Sequence, residues 1–194
     1  MIKKIVSVLL VFAMTLGMST SALAAVEQKR SEAAYQEYQS NATTTEEVVY
    51  VDDGAGNIIP VTVIETTYPA LNNGDVSVLG LSPEYPVGST KTYTVKVSNA
   101  MLQAPASGVV LTQAMKSTAA EIAANAIAAK LGSKFIPGLN LAVAILGFIG
   151  AVNAACGNSG IKVTVNLKYK ETYLHKEGYY LYGWDAVSAY LGTY

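Results

Sequence analysis

Two hydrophobic periodicities divide this chain. From Val48 to Ser98, and again from Ile161 onward, apolar and polar residues alternate, which is the period of a strand with one buried face. From Ser107 to Cys156 the apolar spacing changes to three and four and polar residues become scarce, which is the period of helices.

The alternation is cleanest in Ile161 to Tyr173. Ile161, Val163, Val165, Leu167 and Tyr169 point one way, and Lys162, Thr164, Asn166, Lys168 and Lys170 point the other. Such a strand buries one side and wets the other, so an antiparallel sheet is expected. Lys91 to Ser98 alternates in the same manner. EVVYV and IIPVTVIETT, joined by DDGAGN, predict a β-hairpin over Val48 to Thr67, with Pro60 at the start or edge of its arm. DDGAGN lacks the ligand spacing and closing glutamate of a calcium loop and reads as a turn. Within the loop-rich Tyr68 to Ser89, VSVLGL predicts a short strand. After a turn at His175 to Gly178, Tyr179 to Trp184 and Ala186 to Tyr194 predict two further strands.

The helical stretch reads as two helices. Thr118 and Glu121 fit a capping box, although apolar spacing permits a start near Ser107. Ile122, Ala123, Ala126, Ile127 and Leu131 continue the stripe, and Gly132 is a plausible stop. Pro137 suits the first turn of a second helix, predicted over Leu139 to Cys156. That helix would be about 27 Å long, slightly short of the roughly 20 apolar residues of a membrane span. No charge occurs from Phe135 to Ile161. Small residues recur at spacing four (Gly147, Ala151, Ala155; Gly150, Ala154; Ala120, Ala124, Ala128), a pattern that allows close helix approach.

The expected fold is therefore α+β: an antiparallel β-sheet or small β-sandwich with an inserted apolar helical hairpin. Residues 1–24 read as a signal peptide and 25–47 as a polar helical or disordered lead. Residues 48–194 read as a single domain, with β-structure over 48–98 and 161–194 and the hairpin over 107–156. The alternative is a sheet from which the hairpin projects.

The signal-peptide reading rests on Lys3 and Lys4, the apolar run Ile5 to Met18 and the site Ala22-Leu23-Ala24. It predicts secretion, from a bacterium. The single cysteine, Cys156, excludes an intramolecular disulfide framework and reads as a small core residue. Stability must then come from burial.

The formal net charge of −1 conceals an asymmetry. Residues 25–90 hold ten acids against two bases, and residues 91–194 hold nine lysines against four acids. A basic second half favours an anionic bacterial membrane or cell envelope as partner. Nucleic acid is not supported, because the lysines form no recognised motif and the chain reads as exported. An immunity or self-association partner is left undefined.

Candidate chemistry is sparse. His175 is the only histidine, no His, Cys or Asp spacing resembles a metal site, and no glycine-rich loop links strand to helix. No cofactor and no enzyme activity are expected. A hydrolase would have to gather acids around His175.

Two surfaces remain. Leu139, Leu141, Val143, Ile145, Leu146, Gly147, Phe148, Ile149, Gly150 and Val152 are the membrane-insertion candidates if the hairpin leaves its shelter. Tyr180, Tyr182 and Trp184 share one strand face, and with Lys168, Lys170 and Lys176 nearby in sequence they are the surface-binding candidates. Sequence reasoning favours a bacteriocin-like, membrane-active protein, an organisation generically similar to pore-forming toxins that shelter an apolar hairpin. The alternative is a non-enzymatic secreted or surface-associated binding module whose hairpin is buried core.

Overall fold

The computed structural model describes residues 42–53, 56–68, 85–132, 140–174 and 179–194. The signal-peptide segment, the lead up to residue 41, the VSVLGL segment, the linker between the helices and the His175–Gly178 turn lie outside the described residues, as do Leu139 and Lys176. Residues 42–194 form one compact unit.

Five strands form one antiparallel sheet in chain order: β1 (Thr43–Asp52), β2 (Ile58–Tyr68), β3 (Thr90–Ser98), β4 (Gly160–Leu174) and β5 (Tyr179–Thr193). Two helices, α1 (Gln113–Leu131) and α2 (Leu141–Ile149), lie between β3 and β4 in sequence. The class is α+β, and among the described residues there is one sheet rather than a sandwich. β1 and β5 are the two edges.

The alternating residues sort onto faces as their period requires. Val61, Val63, Tyr93, Val95, Val97, Ile161, Val163, Val165 and Leu167 are buried beneath the helices. From α1, Ala119, Ile122, Ala123, Ala126 and Ile127 join them, and from α2, Leu141, Ile145 and Ile149. The alanines lower the steric profile of α1 and let it sit close to the sheet. Asn125 ties α1 to the first strand by donating from Nδ2 to the Asp52 carbonyl at 3.0 Å. Lys116, itself buried, donates from Nζ to the Gly150 carbonyl at 2.9 Å, placing a cation at the C-terminal end of α2.

Several expectations are corrected. α1 starts at Gln113, where the Thr112 hydroxyl accepts from the Met115 amide, and not at Thr118. Thr118 instead sits inside the helix and donates to the Ala114 carbonyl. Gly132 ends α1 as expected, at φ 62°.

α2 has nine residues, not the eighteen of Leu139 to Cys156. Its start is capped by the Asn140 side chain. After Gly150 the backbone finds other partners: Leu111 N–H donates to the Ala154 carbonyl, Cys156 N–H to Val109, and Gly108 N–H to Cys156. A strand-like bridge to residues 108–111 thus takes the apolar stretch out of helical conformation. Among the described residues no helix is long and apolar enough to cross a membrane. Cys156 is buried and unbridged.

The C-terminal aromatic segment is one strand rather than two. Val187 is an extra residue in a bulge opposite Asn166 and Leu167, which resets the alternation without ending the strand. Pro60 lies within β2, but pairing with β3 begins only at Thr62, so the proline has a strand neighbour on one side.

Candidate binding surface

β4 and β5 determine where the sequence-selected side chains go. Their register sets Tyr169 opposite Trp184, Glu171 opposite Tyr182 and Tyr173 opposite Tyr180, all on the helix-facing side. Lys168 and Lys170 alternate to the other side, opposite Asp185 and Gly183. The lysines and aromatics expected to cooperate are therefore on opposite faces of the sheet.

Trp184 is not a surface residue. It is fully buried in an edge-to-face cluster with Tyr85 (5.2 Å between centroids) and Tyr169 (5.2 Å). The Lys91 ammonium lies 5.5 Å from the Trp184 ring and 5.2 Å from that of Tyr85. Lys91 also meets Glu65 at 2.7 Å, and Lys130 bridges Glu65 and Glu47. Burial by itself raises the Glu65 pKa, but the hydrogen bond and charge of Lys91 outweigh it and hold the carboxyl below its ordinary value. Burial first, and then the Glu65 charge, push the Tyr93 hydroxyl pKa up. This cluster seals the part of the inner face beyond the helices. Toward the strand ends the aromatics emerge: Tyr182 stacks near Tyr169 and donates to Glu171 at 3.2 Å, and Tyr173 and Tyr180 are exposed.

The insertion candidates also divide. Leu141, Ile145 and Ile149 are core, and Leu146 and Gly150 are half-buried. Val143, Gly147 and Phe148 are exposed on α2, and Val152 is exposed beyond it. A Cβ on Gly147 would meet nothing within 4 Å, so this glycine does not mediate a helix contact.

The opposite sheet face carries no described helix and was not singled out from sequence. One of the rows that cross all five strands is polar throughout: Thr44, Thr66, Thr92, Asn166 and Ser188. Thr44 and Thr66 share a hydrogen bond of 3.1 Å. Thr92 donates to the Asn166 carboxamide oxygen at 2.7 Å, and Asn166 Nδ2 donates to Ser188 at 2.9 Å. The neighbouring row runs through Glu46, Ile64, Thr94, Thr164 and Tyr190, with Thr94 and Thr164 bonded at 3.0 Å and Tyr190 57% exposed.

Among the described residues this face carries the lysines Lys96, Lys162, Lys168 and Lys170 and the carboxylates of Glu46, Asp52 and Asp185. Lys96 pairs with Glu46 and Lys170 with Asp185. Lys162 lies 6.0 Å from the Tyr194 ring centroid, and Lys168 is exposed. The two pairs cancel and leave Asp52 at the end of β1 and, on β4, Lys162 and Lys168, about 20 Å apart along the strand. The β3–β5 part of this face is hydroxyl-rich, with Lys162, Lys168 and exposed Tyr190, and is suited to hydrogen-bonding a polyhydroxylated anion, whereas its β1–β2 part exposes Val48, Tyr50 and Ile58 beside Asp52.

A shallow cleft of about 340 Å³ opens between the β1–β2 turn and the turn after β3, lined by Asp53, Asn57, Ile59, Ala100, Met101 and Gln103. Asp53 accepts hydrogen bonds from the Asn57 amide and side chain, which assigns it to holding the turn. Among the described residues no three His, Cys, Asp or Glu side chains gather as metal ligands. His175, around which a hydrolase would have to gather acids, lies outside the described residues.

No family model, curated protein or solved structure matches this chain.

Proposed function

We propose that this protein is a non-enzymatic binding module, exported by a bacterium, that engages an anionic, hydroxyl-rich polymer of a cell envelope on its open sheet face. In this reading the two helices are an inserted apolar hairpin that serves as core. The observation that carries it is the five-strand row of Thr44, Thr66, Thr92, Asn166 and Ser188, flanked by Tyr190 and by Lys162 and Lys168. Hydroxyl and amide groups exchange partners with sugar hydroxyls at little cost, tyrosine offers a ring face, and the lysines supply attraction to acidic groups.

Cosedimentation with isolated bacterial envelope tests this. The chain is expected to pellet with the envelope at low salt and to release as ionic strength rises. Replacing both Lys162 and Lys168 by Gln should weaken binding about tenfold or more, taking roughly 1 kcal/mol per lysine at an anionic surface. Unchanged binding by that variant would remove the proposal's basis.

A membrane-active role is a second reading, supported by the charge-free exposed residues Val143, Phe148 and Val152. It predicts dye release from anionic vesicles that is lost in Phe148→Glu. Intact vesicles at saturating protein would exclude it.

A further inference from the structure

The two edges of the sheet differ in what they expose. β1 exposes Val48 and Tyr50 but carries three carboxylates in ten residues (Glu46, Glu47 and Asp52), of which Glu46 pairs with Lys96 and Glu47 with Lys130, and this crowding of charged groups discourages a second strand from pairing there. β5 has one charge in fifteen residues, Asp185, and Lys170 already neutralises it. It has no lysine and no proline, and it presents Tyr180, Val187 and Tyr190 as exposed apolar or aromatic side chains. Its backbone groups that do not face β4 have no strand partner among the described residues.

The bulge at Val187 bears on the register available to a neighbour. It separates two regular runs, residues 179–186 and 188–193. An antiparallel copy of the same strand, related by a two-fold axis through Val187, would pair each run with the other. A bulge that interrupts pairing with any general strand is therefore matched by itself in a second copy.

The layer above the edge has the same character. α2 packs against β5, and its exposed residues Val143, Gly147 and Phe148 turn away from both the sheet and α1. That flank carries no charge. With the axis perpendicular to the sheet, both helix layers stay on one side, and the uncharged flank of α2 lies on the side of the sheet that the partner's helices share.

We propose that two copies of this chain associate through β5, edge to edge and antiparallel, to form a continuous ten-stranded sheet. The strand is about 50 Å long. Taking a strand edge roughly 10 Å deep, with the α2 flank added over about 14 Å of its length, each copy would cover roughly 600 Å². The total of roughly 1,200 Å² lies at the lower limit of specific interfaces. The dimer would be reversible, with micromolar dissociation. It does not depend on the proposed ligand, but it would join the two polar faces into one surface and double the lysines an envelope polymer meets.

Light scattering on the purified chain, fractionated by size at up to about 100 µM, tests this. Twice the single-chain mass is expected, falling toward the single mass on dilution. Val187→Asp places two carboxylates on the axis and should give the single mass at every concentration, with the thermal transition of the diluted, single-mass unaltered chain because the site is exposed. Phe148→Glu, on the α2 flank, should weaken the dimer by at least tenfold. Tyr50→Asp, on the β1 side, should leave it intact. A single mass for the unaltered chain at all concentrations would overturn the proposal, as would a Val187→Asp variant that remains dimeric. Loss of the dimer in Tyr50→Asp alone would assign association to the other edge and equally overturn it. Capture of the single-mass chain by anionic vesicles through Phe148 would assign that flank to lipid instead.

Discussion

Thr92 and Asn166 sit directly opposite each other on β3 and β4, and the Thr92 hydroxyl donates to the Asn166 carboxamide at 2.7 Å on the face away from the helices. Asn166 then passes a hydrogen bond on to Ser188. A half-buried amide with both ends engaged is held in one orientation, so it presents a fixed pattern to a ligand.

Asn166→Leu should separate binding from stability. It removes two hydrogen bonds on a solvated face, each with a net value of about 1 kcal/mol. Chemical denaturation should show a loss of about 1–2 kcal/mol, while envelope binding falls further than that loss explains. Wild-type binding by this variant would mean the row is only sheet architecture.

Ile127 and Ile145 come from the two helices and are both fully buried. Truncation to Ala at either should cost about 2–5 kcal/mol in equilibrium unfolding. A cost near zero at Ile145 would mean that α2 is only loosely attached, which is what the membrane-active reading needs.

The glycines of the helical region and the sheet should behave in opposite ways. A Cβ at Gly160 would lie 2.2 Å from the Val97 carbonyl oxygen, so Gly160→Ala must push β3 and β4 apart where they begin to pair and should destabilise by about 2 kcal/mol or more. Gly147 faces open space in a helix, and Gly147→Ala should stabilise by about 0.5–1 kcal/mol. Thermal melts of the two variants should shift in opposite directions.

Acid stability should depend on Glu65. Its carboxyl is held below the usual 4.5 in the folded state, so ionisation favours folding. That contribution is present above pH 4.5 and is lost as the pH falls through the lowered folded-state value. Stability measured against pH should decline below about 4.5, and Glu65→Gln should flatten the decline. The variant should also be less stable at neutral pH, because Lys91 keeps its burial and loses its carboxylate partner.

Much of the sheet was legible in the sequence because alternation reports burial directly. Ile161 to Tyr169 and Lys91 to Ser98 point where their period says. The end of α2 was not legible. Residues 150–156 are apolar enough for helix, and only the backbone pairing with residues 108–111 removes them from it, a long-range contact that leaves no local signal. The binding surface was misjudged for a related reason. Lys168, Lys170, Tyr180 and Trp184 are close in sequence, but which of them share a face depends on the β4–β5 register, which the alternation of either strand alone does not reveal. The five-strand row was invisible because its members come from five separate segments, each an ordinary polar position in its own strand.

The central claim is that the open polar face meets the ligand while the helices stay in place. The most direct test follows backbone and side-chain amide NMR signals during titration with a soluble anionic envelope glycan. The account predicts shifts at Thr92, Asn166, Ser188 and Tyr190 and around Lys162 and Lys168, with Ile127, Ile145 and Ile149 unmoved. Shifts concentrated in α2, or loss of its signals, with the sheet face silent, would contradict it.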